Sequence, residues 1–446
     1  MIKQASTLRI LFAAAFISSI PSSPVFAQVA GDGIPVVTLA EARRRSASVD
    51  PNAVAARSRV QTAAWERRAA KANLLTPNIS YNTSYTHFSD PFFNFGTGGV
   101  SPNSAAATLD GTYSLLGAGK FGALKNSRAA MQSAEASETV VRFRSALETD
   151  AAYFAVLADH ELSRVITDRL KRAEEQLAIA RVRVIAGESL SSDSLQLLLE
   201  VSRARLAVLS RDSALVASRL RLGRRVGLDG PAEAAPIDTL LPPALPFSQE
   251  EAIAEMRQRG PDVEAARAEE KSANASVLAQ REQYFPQISI GGTVGRYDSE
   301  FFPSVLKRNQ YTISVGFPIW NGGTRELAIA RARAERSVAS ATRADLERGA
   351  GEVMAQAYHG YLTSRAGIDL ASIGVAAATE NYRVQGARFR QGATTILDLL
   401  EAQVALSEAQ AALIQARYSS RLALAQIEAL LGRRIFEATT TNPNAR

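Results

Sequence analysis

The amino-acid sequence runs through one pattern twice. Leu222-Gly223-Arg224-Arg225 returns 209 residues later as Leu431-Gly432-Arg433-Arg434, and Pro77-Asn78-Ile79-Ser80 returns at the same offset as Pro286-Gln287-Ile288-Ser289. Three more matches keep this order at offsets between 205 and 210: Pro51 with Pro261, Phe92 with Phe301, and Arg183 with Arg388. The offset is far longer than the roughly 20–50 residues of a solenoid repeat. The sequence therefore predicts a duplicated half, and one half-fold has to explain both copies.

The N-terminus has the pattern of an export signal. Lys3 and Arg9 accompany an apolar stretch, Leu8 to Ile20, which is shorter than the roughly 17–25 residues of a helix that crosses a bilayer. Val25-Phe26-Ala27 follows as a cleavage site. The sequence predicts a cleaved signal peptide over residues 1–27 and a mature chain that begins at Gln28.

The composition and motifs of the chain do not indicate a catalytic, cofactor or metal site. The chain contains no cysteine, which excludes disulfides, thiolate metal sites and thiol catalysis. Its net charge of +7 comes from basic residues spread among acidic ones. The histidines at 87, 160 and 359 lack metal-ligand spacing, and the Gly-x-Gly-x-x-Gly from Gly117 to Gly122 has no βαβ unit around it, so we interpret it as a strand-to-helix joint. We expect no enzyme activity, no cofactor, no metal and no nucleic-acid partner.

Each half is predicted to form a helix, two strands, a long helix, a turn and a second long helix. In the first half a helix from about Leu39 to Leu75 ends before Pro77. Ile79 to His87 alternates aromatic, apolar or β-branched residues with small polar ones, which is typical of a strand. A loop from Ser89 to Ser104 then leads to a weaker strand from about Thr108 to Leu116.

The second half repeats the strand pattern at Ile288 to Val294 and at Tyr311 to Phe317. A long stretch without proline follows each pair of strands. The first of these, Phe121 to Ala186, would form a helix about 100 Å long at 1.5 Å per residue.

Small and aliphatic residues recur on the long helices in alternating steps of three and four, the heptad pattern of a coiled coil. The pattern precedes the first turn, follows it, and runs along the last helix. Its positions are Leu162, Ile166, Leu170, Ala173, Leu177, Ala180 and Val184; Leu195, Leu199, Ser202, Leu206, Leu209, Ser213, Val216 and Leu220; and Leu399, Ala402, Leu406, Ala409, Leu413, Ala416, Ser420, Ala423, Ile427 and Leu430. The sequence predicts a wall of close-packed antiparallel helices.

Two glycines, Gly187 and Gly392, are predicted to end helices in the left-handed conformation, at hairpin tips far from the strands. Candidates to cap the returning helices are Ser191, Ser192, Thr394 and Thr395. The predicted segments are a signal peptide (1–27), a first repeat (28–228), a linker (229–247), a second repeat (248–435) and a flexible tail (436–446).

Four alternating strands in an exported chain need partners. Each matches the roughly 9–11 residues of a membrane-spanning strand. Every backbone group in lipid must pair, so such strands close into a barrel, and bacterial barrels start at about eight strands. Two chains would supply eight strands and three chains twelve, and the strands themselves do not choose between these.

The order of elements, the duplication, the tip motif from Arg388 to Asp398, its looser copy from Gly187 to Asp193 and the Leu-Gly-Arg-Arg ends resemble the TolC-like outer membrane efflux protein family. The resemblance covers Leu39 to Ile435. It implies an α+β membrane protein, a homotrimer with a shared twelve-stranded outer-membrane β-barrel above a long helical barrel in the periplasm. It also implies an exit channel for tripartite efflux or type I secretion, opened by a periplasmic adaptor and an inner-membrane transporter of RND or ABC type. Drug, metal and protein cargo all remain open.

Asp398 and Glu401 lie one helical turn apart just past the second tip, on one face of a helix. The resemblance implies that acids at these positions line the tunnel entrance, where threefold symmetry would make a six-carboxylate ring that selects or binds cations. Asp193 is the first-half equivalent. The alternative is that these acids only stabilise the positive end of a helix.

The resemblance also implies that the adaptor docks at the tips. The candidate residues are Arg183, Gly187, Asp193, Arg388, Gly392 and Thr395. Arginines in a last helical turn would also stabilise the helix without a partner. Aromatic residues near the strands are expected to anchor the barrel in outer-membrane lipid or to pack within the outer loops: Tyr81, Tyr85, Tyr311, Phe92, Phe93, Phe301 and Phe302.

Two rivals have to be weighed against a channel. A coiled-coil scaffold of the cell envelope explains the heptads and the export signal but not four alternating strands. A periplasmic enzyme or binding protein would bury those strands against a conventional core and would dissolve without detergent.

Overall fold

The computed structural model describes residues 33–94, 98–117, 119–187, 190–237, 242–302 and 306–436. The predicted signal peptide and nearly all of the predicted tail lie outside these residues. Residues Pro35–Arg446 form one unit, and Gly33 and Ile34 are the described residues of the other unit, Met1–Ile34.

The two halves of the chain have the same order of helices and strands. The first half contains β1 (Val36–Val37), α1 (Leu39–Val49), α2 (Pro51–Leu75), β2 (Asn78–Asn94), β3 (Gly99–Leu116), α3 (Lys120–Ile185) and α4 (Ser191–Arg225). The second contains β4 (Glu233–Ala234), α5 (Gln249–Arg259), α6 (Pro261–Arg281), β5 (Gln287–Asp298), β6 (Leu306–Gly316), α7 (Thr324–Arg390) and α8 (Ile396–Leu431). In the part of the chain that the structure describes, no helix has the length and apolar content needed to span a membrane.

The helix predicted from Leu39 to Leu75 is in fact two helices, so that prediction was wrong. Asp50 ends α1 and caps α2, because its carboxylate accepts the amide of Asn52 at 2.9 Å. Pro51 takes the first position of α2, where a missing N–H costs nothing. Gly260 and Pro261 make the same break between α5 and α6.

The loop predicted from Ser89 to Ser104 was also wrong, because β2 and β3 continue through most of it. They pair from Asn78 opposite Thr112 to Asn94 opposite Gly99. The register shifts between His87 and Phe92, and this segment of β2 contains Pro91. This strand lies at the edge of the sheet, where proline is tolerated.

The four long strands form one antiparallel sheet in the order β2-β3-β5-β6. Because both pairs are antiparallel neighbours in the chain, the strand ends nearest the helices, at Asn78, Leu116, Gln287 and Gly316, lie at one end of the sheet. The ends at Asn94, Gly99, Asp298 and Leu306 lie at the other, which is called the hairpin end below. Gly119 (φ 87°) and Gly323 (φ 78°) precede α3 and α7 in the left-handed conformation. The interpretation of these glycine-rich segments as strand-to-helix joints is confirmed.

Two buried tyrosines at equivalent places hold the connection between the halves. The Tyr153 hydroxyl on α3 donates to the carbonyl of Ala235 at 2.6 Å, and the Tyr361 hydroxyl on α7 donates to the carbonyl of Pro243 at 2.7 Å. Both side chains are fully buried, each in its own hydrophobic cluster. The described parts of the linker, residues 229–237 and 242–247, are therefore packed onto the helices by matching contacts from each half.

The glycines of the two Leu-Gly-Arg-Arg segments are needed for different reasons. Gly432 ends α8 with a φ of 69°, the left-handed conformation. Gly223 lies within α4, and a Cβ there would come within 1.9 Å of the carbonyl oxygen of Gly230. The chain returning from α4 thus packs directly against the helix backbone.

We expect Gly223→Ala to destabilise the protein by about 1–3 kcal/mol, because the methyl group forces the Gly230 backbone to move. Gly374→Ala, in α7 where a Cβ meets nothing within 4 Å, is the control and should stabilise by about 0.5–1 kcal/mol. Loss of helical circular dichroism on heating in detergent measures both. Equal midpoints for Gly223→Ala and the wild type would contradict the close approach.

Candidate channel entrance and two-faced sheet

The second hairpin tip is closed by a capping box. Gly392 turns the chain with a φ of 72°, and Thr395 caps α8. The Thr395 hydroxyl accepts the amide of Asp398 at 3.3 Å, and the Asp398 carboxylate accepts the amide of Thr395 at 3.0 Å. The capping prediction is therefore confirmed for Thr395.

The first tip is built differently. Gly187 has a φ of 76°, but α4 begins after Leu190 without a side-chain cap. The prediction that Ser191 or Ser192 caps this helix was wrong. The Ser191 carbonyl instead accepts the Ser194 hydroxyl at 2.9 Å, and the Ser192 hydroxyl lies 3.5 Å from the half-buried Asp193.

Asp398 is held ionised by the tip. Hydrogen bonds from the hydroxyls of Thr395 (2.6 Å) and Thr394 (2.7 Å), together with the Thr395 amide, lower the pKa of Asp398 to about 2. Asp398 does stabilise its helix end, as the alternative interpretation held, but it is also exposed. Capping a helix and contributing charge to an entrance are compatible roles, because the capping carboxylate remains exposed.

Glu401 continues the acidic face. Its side chain is exposed and makes no hydrogen bond or ion pair with the described residues. Glu408, which the sequence reasoning missed, is also exposed and lies seven positions farther on, so it falls close to the same face of α8. The α8 helix thus presents a line of acids rising from the tip.

The two predicted tip arginines make contacts within the chain. The Arg183 guanidinium donates to the Phe389 carbonyl at 3.1 Å and lies 5.7 Å from the centre of its ring, which joins α3 to α7. Arg388 donates to the Ala393 carbonyl at 3.4 Å, across its own tip. Arg388 thus ties its own tip together, and Arg183 links the two hairpins.

Cross-strand register separates the long sheet into two chemically different faces. One face carries apolar and aromatic residues in rows: Tyr81 with Leu109 and Val294, Ile79 with Tyr311, and Tyr113 with Ile290 and Ile313. The other face carries polar rows: Ser80 with Asp110, Thr293 and Gln310, and Asn82 with Thr108 and Arg308. The alternation predicted from the sequence is confirmed for all four strands.

Asp110 organises the polar face, although the sequence reasoning passed over it. Its carboxylate accepts the Thr293 hydroxyl at 2.7 Å, the Thr108 hydroxyl at 2.8 Å and the Asn82 amide at 3.0 Å. These contacts join β2, β3 and β5 by side chains as well as by the backbone. The strict alternation through Thr108, Asp110 and Thr112 was the signal that could have placed it.

The predicted aromatic residues split between a strand set and a loop set. Tyr81 and Tyr311 are exposed on the apolar face. Tyr85, on the same face, packs against Phe301 at a ring distance of 5.6 Å, and Phe301 packs edge-on against Phe302 at 5.1 Å. Phe92 contacts Phe88 at 4.6 Å, while Phe93 is exposed. The phenylalanines therefore form local clusters at the hairpin end of the sheet.

One of the predicted heptad seams points out of the chain. Each of its positions on α4, from Leu195 to Leu220, is exposed, and Leu206 and Leu209 are 69% and 65% accessible. Within the chain α4 packs through another face, which includes Leu197, Val201 and Leu215. None of the predicted seam positions on α3 and α8 is exposed. An apolar stripe therefore runs along the side of α4 that the described residues leave exposed.

Residues 252–433 match the family of outer membrane efflux proteins. The chain is 25% identical over 299 residues to the toluene efflux pump outer membrane protein TtgC of Pseudomonas putida, a match that spans 65% of this chain and 60% of that protein. It is 27% identical over 318 residues to the protein CyaE of Bordetella pertussis, which spans 69% and 66%. The CmeC outer membrane channel of Campylobacter jejuni has the same fold, with a TM-score of 0.76 and 17% identity over 88% of this chain and 85% of that chain.

Residues 252–433 are thus similar to outer membrane efflux proteins, and the chain shares its fold with the CmeC channel. The resemblance inferred from its tips and Leu-Gly-Arg-Arg ends is confirmed.

We expect a charge on the apolar face of the long sheet to destabilise the protein and a charge on the polar face to be tolerated. Ile290→Lys should destabilise the folded protein by about 2–4 kcal/mol if it faces lipid near the midplane. Thr312→Lys, on the polar face of β6, is the control. Urea unfolding in lipid vesicles measures both, and equal midpoints would reverse the assignment of the faces.

Proposed function

We propose that this protein is the outer-membrane exit channel of a tripartite efflux or type I secretion system. The observation that carries the proposal is the sheet, which has one apolar face, one polar face and two free edges, at β2 and β6. A sheet of this kind satisfies its backbone in lipid only when its edges are joined by other strands. A coiled-coil scaffold gives such a sheet no role.

Three copies of the chain are proposed to complete the barrel. Four strands are too few to close, and three chains supply twelve, an even number within the range of bacterial barrels of about eight strands upward. The polar rows around Asp110 and Thr293 then line the interior. The apolar rows around Leu109 and Ile290 then face lipid.

The outward stripe on α4 supports the same assembly. Leu206, Leu209, Val216 and Leu220 have heptad spacing and are exposed, so a neighbouring helix of a second copy is the natural partner. Three such contacts would close the helices into a periplasmic tunnel. The predicted division into two repeats, 28–228 and 248–435, would then give each subunit two similar hairpins in the tunnel wall.

The tips are proposed as the entrance and the adaptor-docking surface. Asp398 and Glu401 from three subunits would form a ring of six carboxylates, with Asp193 nearby at the other tip. Arg183, Gly187, Arg388, Gly392 and Thr395 shape the surfaces on which a periplasmic adaptor would dock, and an RND- or ABC-type transporter would supply the energy. The protein itself would act as a passive conduit and make or break no bond.

The assembly is tested by one substitution on the stripe. Leu206→Glu should abolish the trimer, because it places a carboxylate in an apolar helix contact. Arg205→Gln changes the net charge equally but removes only an exposed ion pair with Glu174, so it should leave the trimer intact. Native mass spectrometry in detergent counts the subunits, and planar-bilayer recording measures the conductance. A wild-type protein that stays monomeric and conducts no current would overturn the proposed function.

The entrance is tested by cation block. Asp398→Ala with Glu401→Ala should weaken the block of single channels by trivalent gadolinium, while Asp345→Ala, at an exposed acid far from the tips, should not. Unchanged block in the double variant would remove the ring from the entrance.

The pH dependence of that block isolates Asp398. In a Glu401→Gln channel the block should persist at pH 3.8, because the pKa of Asp398 is lowered to about 2 and the carboxylate stays ionised above that value. Thr394→Val removes one of the hydrogen bonds that lower this pKa, so block should then fade at a higher pH. Identical pH profiles for the two channels would show that the tip threonines do not hold the charge.

A further inference from the structure

Two basic residues lie directly opposite each other on the apolar face of the sheet. Arg296 on β5 is the register partner of Lys307 on β6, and both side chains are exposed. Arg296 follows Val294 by two positions and Lys307 precedes Asn309 by two, so both share the face of Ile290 and Ile313. A pair of cations therefore stands on the side of the sheet that the proposed barrel turns toward lipid.

No described residue neutralises this pair. Neither side chain makes an ion pair or hydrogen bond with another described residue. Their row continues with Ala107 and Thr83, and the nearest acid on this face, Asp298, is 4% exposed and accepts the amide of Ser299 at 2.7 Å. Like charges directly opposite each other destabilise a sheet. The arrangement calls for an anion from outside the chain.

The position of Arg296 and Lys307 along their strands indicates their depth in the proposed membrane. Arg296 lies nine residues along β5 from Gln287, the end of the strand next to the helices, which is about 23 Å along the membrane normal at roughly 3.3 Å per residue and a tilt of about 40°. The apolar band of such barrels is about 25 Å tall. The helices fix the other end of the sheet as periplasmic, so the pair stands at the outer border of the band, level with the headgroups of the outer leaflet.

We propose that Arg296 and Lys307 bind a phosphate group of a phosphorylated glycolipid in the outer leaflet. The guanidinium offers a fork that matches two phosphate oxygens, and the ammonium adds a mobile point charge. Acyl chains of the same lipid would pack on Val294 and Tyr311 below. The inference rests on the proposed function, since it needs the sheet to lie in the outer membrane. Closing the barrel at β6 leaves the site open because closure uses the strand edge and not this face.

The test uses the full-length trimer, stripped of lipid in mild detergent and titrated with diphosphorylated lipid A. Native mass spectrometry measures the bound lipid and the number of subunits in the same spectrum. Arg296→Gln with Lys307→Gln should weaken binding about thirtyfold, the factor expected for two interfacial cations. Arg308→Gln is the matched control, because it removes one positive charge next to Lys307 but on the polar face, and it should bind as the wild type does.

Each outcome decides between explanations. Dephosphorylated lipid A should bind the wild-type protein no more tightly than it binds the double variant. Inorganic phosphate should fail to displace the phosphorylated lipid from the wild-type protein. Equal loss in Arg308→Gln, or equal binding of the dephosphorylated lipid, would overturn the site. Displacement by inorganic phosphate would make it a free-phosphate site. Failure of the wild type to form trimers in these spectra would count against the proposed function instead.

Discussion

The unpaired backbone at the two edges of the sheet is the constraint on which the rest of this structure depends. β2 and β6 each leave one row of N–H and C=O groups without a partner in the chain, and the sheet they border has no core packed on either face over most of its area. Such a sheet is not a stable end state in water or in lipid. The stripe on α4 is a similar unsatisfied surface, because its apolar side chains are exposed in the single chain. Both are remedied at once when copies of the chain associate side by side, which is why we connect assembly and transport in one proposal.

The duplication has kept the structural contacts and let the tips diverge. Tyr153 and Tyr361 make the same hydrogen bond to the linker, and both halves begin with a helix pair broken before a proline. The tips have no such equivalence. The second carries a full capping box that lowers the pKa of Asp398, while the first begins at Leu190 without a side-chain cap. Charge at the entrance is therefore expected to come mainly from the second half of each subunit.

The distribution of charge along the proposed channel depends on a few side chains that the fold places. Exposed acids rise along α8 from the tip, and Asp110 sits among hydroxyl and amide donors on the polar face of the sheet. On the opposite face the cations of Arg296 and Lys307 stand where a phosphorylated headgroup would neutralise them. The chain thus directs Asp110 and the tip acids toward the proposed lumen and the cation pair of Arg296 and Lys307 toward the proposed lipid.

The sequence by itself determined the duplication, the long helices, the glycine turns at Gly187 and Gly392 and the alternation of the strands, because these depend on local periodicity and on backbone conformation. It also predicted the acidic tip, since Asp398 and Glu401 are one turn apart. Only the tertiary structure decided that the α4 heptads face outward, that Asp50 breaks the first helix, that the strands extend through the predicted loop, and that Arg296 stands opposite Lys307. Those features depend on which side of an element the rest of the chain covers and on cross-strand register, and neither is fixed by the residues of one segment.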